Sequence, residues 1–102
     1  MGAIIRDAKN TDLETINHIL ETNGQIADVD DGDLPDLVVA EVNGKVVGCG
    51  MCKKQSDGFE ISKISVHPGC QGKGIGMEMV MTLLGRTSGE KCWLLSVNSH
   101  DF

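Results

Sequence analysis

The chain reads as α+β: a mixed sheet with helices packed on it, in the order β-α-β-β-β-α-β. Three observations carry that expectation. Asn43-Gly44 separates two apolar runs, and such a pair is the strongest short hairpin signal because a type I′ turn needs positive φ at both central residues. Val66 to Gly76 sets a glycine-rich loop between an apolar strand and a Met-rich helix. A further apolar run at 92–97 then predicts a parallel partner for the strand at 59–66, joined through a right-handed crossover. At 102 residues the length holds one domain, 1–102.

In chain order, Ala3 to Arg6 is a short first strand. Thr11 and Glu14 have the spacing of a capping box, and Leu13, Ile16, Ile19 and Leu20 form one apolar stripe, so a helix is expected from about 11 to 23, ending at Gly24. Gln25 to Asp36 has neither a 2- nor a 3.6-residue period and reads as a loop. Leu37–Val42 and Lys45–Met51 are the hairpin strands. Ser56-Asp57-Gly58 turns into a third strand, Phe59 to Val66. The following helix, about 74 to 85, carries Ile75, Met79 and Leu83 on one face and Met77, Val80 and Leu84 on another, which implies burial around much of its circumference.

Composition narrows the function classes. Phe59, Trp93 and Phe102 are the only aromatic residues and tyrosine is absent, which removes a broad base-stacking platform and a tyrosine acid. A net charge of −6 argues against nucleic acid and anionic membranes as partners. Asp28, Asp30, Asp31, Asp33 and Asp36 crowd one stretch, either as a solvated loop or as the border of a site for a cationic amine. It fails as a calcium loop, since glycine falls one place early and no Glu closes it. No apolar run approaches the ~18 residues of a membrane span. Four cysteines without a secretory leader point to free thiols and a cytoplasmic setting. Cys49 and Cys52, three apart along a strand, face opposite sides, which disfavours a metal or redox pair.

The glycine loop is where chemistry concentrates. Backbone amides at a helix start lack intrahelical acceptors, and the helix dipole adds partial positive charge, so the loop suits an anion; Lys73 adds a cation to it. Val66-x-Pro68-x-x-Gln71-Gly72-Lys73-Gly74-Ile75-Gly76, in this strand–loop–helix context, resembles the acetyl-CoA motif of the GCN5-related N-acetyltransferase (GNAT) family. The order of elements from residue 3 to 98 resembles that family's N-terminal two-thirds, as in a short or C-terminally truncated member without the usual last helix and two strands.

The resemblance implies a co-substrate, acetyl-CoA. Its pyrophosphate would lie on the backbone of Gln71, Gly72, Lys73, Gly74, Ile75 and Gly76. Its pantetheine arm would run along Ile64, Ser65 and Val66, where this strand splays from the one at 92–97. Asn98 matches an Asn that contacts the arm, or is a solvated loop residue. Glu60, six residues before Val66, stands where relatives place the general base, or is an ordinary strand carboxylate. The implied activity is N-acetyl transfer to the primary amine of a small molecule or peptide. The alternative is a non-catalytic acyl-CoA-binding regulatory module acting through a protein partner. An uncovered 92–97 edge would invite a homodimer.

Overall fold

The computed structural model describes residues 2–95. Among these, five strands form one sheet in the order β1-β2-β3-β4-β5: β1 (Ile4–Asp7), β2 (Leu37–Val42), β3 (Lys45–Gln55), β4 (Gly58–Val66) and β5 (Cys92–Leu94). The first four pair antiparallel, and β4 pairs parallel with β5 across α2 (Ile75–Gly85). Helix α1 (Leu13–Thr22) connects β1 to the β2 side of the sheet. The expected mixed α+β sheet is the one observed.

The helices cover opposite faces. Alternation along β2 sends Leu37 and Val39 to a core with Ile16, Leu20 and Val29, and sends Val38 and Ala40 to a second core with Ile75, Met79, Val80 and Leu83. Cys49 joins the α1 core and Cys52 the α2 core, so the two thiols do face opposite sides. The hairpin turn is as expected, with Asn43 at φ 53° and Gly44 at φ 78°. Gly50 lets α2 approach closely, because a Cβ there would lie 2.7 Å from Ile64 Cδ1 and 3.2 Å from Leu83 Cδ1.

Several expectations are corrected. Thr11 does not cap α1. It lies inside a 3-10 turn, Asn10–Asp12, and the neighbouring Asp12 gathers the local donors instead: the Lys9 amide at 2.8 Å and the Arg6 guanidinium at 2.8 and 3.2 Å. The acidic stretch is not all irregular, since Asp31–Asp36 forms a 3-10 turn. Strand β3 runs on to Gln55 because Met51, Lys53 and Gln55 pair with Ser62, Glu60 and Gly58. Helix α2 is not buried all round. Ile75, Met79 and Leu83 are buried against the sheet, whereas Met77, Met81 and Leu84 are exposed. The last strand is Cys92–Leu94, and the remainder of the expected 92–97 run past residue 95 falls outside the described residues.

Candidate active site

Three adjoining features make the site: the glycine loop, the open edge of β4, and a cavity beside Glu60. After Val66 the chain passes into a 3-10 turn, Pro68–Cys70, stapled by the Gly69 amide donating to His67 Nδ1 at 3.1 Å. His67 is exposed and spends this nitrogen on the turn. Gly72 at φ 78° and Gly74 at φ 84° then take the left-handed conformation that favours glycine. A Cβ on either would meet nothing within 4 Å, so the space over the loop backbone is open. The Glu78 amide donates to the Gly74 carbonyl at 3.0 Å, closing the first turn of α2. The amides just before it, from Ile75 to Met77, have no earlier helical carbonyl to reach and are free for an anion. Gly72 and Lys73 are exposed, while Ile75 and Gly76 are buried at the helix root.

Strand β4 is irregular where it leaves the loop. Cys49 pairs with Ser65 but Met51 pairs with Ser62, so Lys63 and Ile64 together oppose Gly50. This is a β-bulge, with Lys63 at φ 56° in the left-handed region. Pairing with β5 is confined to Phe59, Glu60 and Ile61, plus the Leu95 amide donating to the Ile61 carbonyl at 2.9 Å. Among the described residues, Ser62 to Val66 therefore have no strand on the β5 side. The expected splay concerns the run past Leu95, which lies outside the described residues.

Side-chain amides occupy that open edge. Asn23 Nδ2 donates to Ser65 Oγ at 2.6 Å and to the Val66 carbonyl at 2.8 Å. Gln71 Nε2 donates to the same carbonyl at 2.9 Å and to Asn23 Oδ1 at 3.3 Å. Gln25 Nε2 donates to the Ile64 carbonyl at 3.2 Å. The end of α1 aims these groups. Gly24 at φ 73° donates to Glu21 and Gln25 donates to Leu20, the two bonds of a Schellman cap.

A cavity of about 480 Å³ opens beside this edge, lined by Gln25, Ile26, Met51, Glu60, Ser62 and Lys63 among others. Glu60 is half-buried in its wall, between Lys53 of β3 and Trp93 of β5 in the sheet register. At the rim, Lys63 Nζ donates to Asp28 Oδ1 at 2.8 Å and to the Ile26 carbonyl at 3.2 Å. That bond from Lys63 holds the Asp28 carboxyl below its ordinary value. The acidic stretch thus reaches the cavity through Asp28. Asp30 and Asp33 instead shape their own turn: Asp30 Oδ1 accepts the Gly32 amide at 2.9 Å and Asp33 Oδ2 the Asp30 amide at 3.0 Å.

The sequence matches the Acetyltransferase (GNAT) family over residues 3–101. The chain belongs to the GNAT acetyltransferase family. Its fold is similar to that of Rv2747 from Mycobacterium tuberculosis, solved in complex with CoA, with a TM-score of 0.79 at 26% identity over 94% of this chain and 66% of that one. N-acetylglutamate synthase from Neisseria gonorrhoeae, solved with coenzyme A and N-acetyl-glutamate, gives 0.83 at 22% identity, over 97% of this chain and 26% of that one. Arabidopsis thaliana Naa50, solved with a bisubstrate analogue, gives 0.68 at 18% identity, over 99% and 77% respectively. This GNAT chain thus spans 66% of the first of these proteins and 26% of the second. No curated protein sequence matches it.

Of the residues the sequence singles out, Gln71 to Gly76 form one continuous loop and helix start, and Ile64, Ser65 and Val66 form the open edge running from it. Glu60 lies at the edge's other end. The side chain of Ile64 is buried in the α2 core, so its backbone faces the site and its side chain does not. Asn98 lies outside the described residues. Asn23, Gln25 and Lys63 were not legible as site residues. The only sequence signal for the first two was Gly24, which ends α1 and fixes where its flanking amides point.

Proposed function

We propose that the chain is an N-acetyltransferase moving an acetyl group from acetyl-CoA to a primary amine of a small molecule or peptide. The observation that carries this reading is the stretch of β4 from Ser62 to Val66, which has no strand on its β5 side among the described residues and runs from the glycine loop to the Glu60 cavity, so that it can align an extended thioester arm between an anion site and a carboxylate. In this reading the backbone of Gln71 to Gly76 holds the pyrophosphate. The arm lies along Ile64 to Val66, with Asn98, outside the described residues, as a further candidate contact, and backbone amides of this bulged segment polarise the thioester carbonyl. The neutral amine attacks the acetyl carbon. The N–C bond forms, the C–S bond breaks, and the nitrogen's proton passes to Glu60 directly or through water. CoA leaves as thiolate and takes its proton from solvent.

Holding donor and acceptor together contributes to the rate, since orientation turns a bimolecular encounter into a unimolecular step. The carbonyls of Ile64 and Val66 are engaged by Gln25, Asn23 and Gln71, so the arm either uses the amides of this edge or displaces those side chains. A homodimer along the β5 edge belongs to the same reading, where Leu94 and Leu95 are 47% and 45% exposed. Titration calorimetry and thermal shift with acetyl-CoA test the donor half. Saturable binding of one acetyl-CoA per chain with a raised Tm is expected; no heat and no shift at millimolar acetyl-CoA would overturn it.

A further inference from the structure

Strand β4 ends on a carbonyl that two side-chain amides share. Asn23 Nδ2 donates to the Val66 oxygen at 2.8 Å and Gln71 Nε2 donates to it at 2.9 Å. A carbonyl oxygen only accepts, so the facing atom of each amide is its nitrogen and both orientations are fixed. The second N–H of Gln71 then meets Asn23 Oδ1 at 3.3 Å, and the second N–H of Asn23 meets Ser65 Oγ at 2.6 Å. Helix α1 does not need this side chain for its own end, which the backbone bonds from Gly24 to Glu21 and from Gln25 to Leu20 already close. Gln71 opens the glycine loop and folds back five residues to reach Val66. Beyond it, Gly72 and Lys73 are exposed, and the space that a side chain would fill on Gly72 or Gly74 is empty to 4 Å. Packing therefore does little to hold this stretch in shape. Glycine loses more conformational freedom on ordering than any other residue, so a slack glycine loop grips an anion weakly. One end of the loop is rooted in α2, and the other in the Gln71 amide that Asn23 holds.

We propose that Asn23 is a positioning residue for the coenzyme: by holding the Gln71 side chain against Val66, it keeps the backbone from Gly72 to Gly74 in the shape that receives the pyrophosphate. The proposal rests on the placement of CoA at this loop and adds to it a residue from α1, far from the motif in sequence. Asn23 itself touches no ligand and acts through Gln71. The latch stays closed when CoA binds, so the coenzyme arm uses the amides of the β4 edge and leaves the Val66 carbonyl to the two side chains. Gly24, Gln25 and Ile26, the three residues after Asn23, line the Glu60 cavity. The side chain that ties down the loop thus sits at the root of that cavity wall, and it sets where one stands relative to the other.

A double-mutant cycle on the full chain tests this, with CoA affinity read by calorimetry at a temperature where every variant is folded by circular dichroism. Asn23→Ala and Gln71→Ala should each weaken CoA about fivefold, the loss of one hydrogen bond. The double variant should bind CoA as Gln71→Ala does, within about twofold, because Asn23 then has no side chain to hold. Effects that multiply to about 25-fold would show two independent contributions and overturn the proposal. A merely structural Asn23 would lower Tm and leave CoA affinity unchanged, which overturns it equally. A second measurement needs no variant of Asn23. In ¹⁵N-labelled wild type, with the Gln71 side-chain resonances assigned by their loss in Gln71→Ala, those protons should exchange with water at least tenfold more slowly than those of an exposed glutamine, with and without CoA. Exchange as fast as an exposed side chain, or exchange that becomes fast once CoA is bound, contradicts a closed latch. If the wild type binds CoA and Asn23→Ala binds it as tightly, only this inference falls; a wild type that binds no CoA overturns the placement of the coenzyme and the role of Asn23 with it.

Discussion

Gly74 offers the sharpest separation of charge from shape at the glycine loop. It stands at φ 84° immediately before α2, and a Cβ there meets nothing within 4 Å, so a side chain enters open space. The cost to the fold is backbone strain. Asn and Asp tolerate the left-handed region better than other residues, and the two share a shape. Comparing Gly74→Asp with Gly74→Asn therefore isolates one negative charge. If the pyrophosphate sits on this backbone, that carboxylate lies ~5 Å from about two negative charges, and Coulomb's law gives ~1.7 kcal/mol at a dielectric of ~80 and ~3.3 at ~40. Those energies correspond to ~15-fold and ~200-fold in Kd. Calorimetry with CoA in ~0.1 M salt reads the ratio, and at ~1 M salt it should shrink as the Debye length falls to ~3 Å. Equal CoA affinities for the two variants, with both folded by circular dichroism, would refute the placement of the phosphates.

Two further outcomes concern the base and the fold. Replacing Glu60 with Gln should lower turnover by ~10²- to 10⁴-fold while CoA affinity stays within about twofold, measured as thiol release and calorimetry on the same samples; an unchanged kcat would exclude Glu60 as the base. Asp12, 8% exposed and bonded by Arg6, has its carboxyl held below the ordinary value chiefly by that guanidinium. Because the folded pKa is depressed, this contribution to stability is fully present above the unfolded value of ~3.9 and is lost as pH falls through the folded one. Asp12→Asn should cost about 1.5–3 kcal/mol, lowering Tm by several degrees at pH 7 and by much less near pH 2, as a differential scan at both pH values would show.

The fold was legible where local chemistry dictates geometry. Asn43-Gly44 fixed a hairpin because few other pairs accept positive φ twice, and Gly72 and Gly74 marked a loop whose backbone takes the left-handed region. The start of α1 was misread because Thr11-x-x-Glu14 satisfies a local rule, while a tertiary partner, Arg6 on β1, draws Asp12 into the role of acceptor. Of the second face expected of this helix Val80 is buried, while the solvent-facing Met77 and Leu84 were misread as core because an apolar pattern records composition and not the number of layers packed on a helix. At the site, the donor half could be read from one contiguous motif. Of the acceptor half only Glu60 could be, through the family resemblance; Gln25 and Lys63 come from a helix cap and a bulge, and only folding brings them to its cavity. The bulge itself leaves no sequence mark, as Lys63 has no special tolerance for φ 56°.

The central claim is that one chain holds an acyl-CoA on its glycine loop and passes the acyl group to an amine beside Glu60. Incubating the wild type with acetyl-CoA and a panel of primary amines, with free thiol and N-acetylated product quantified together, tests it most directly. The account predicts thiol and acetylated amine appearing in equal amounts over many turnovers. CoA bound at the loop with neither product formed across the panel would contradict it and leave a module that binds acyl-CoA without transferring it.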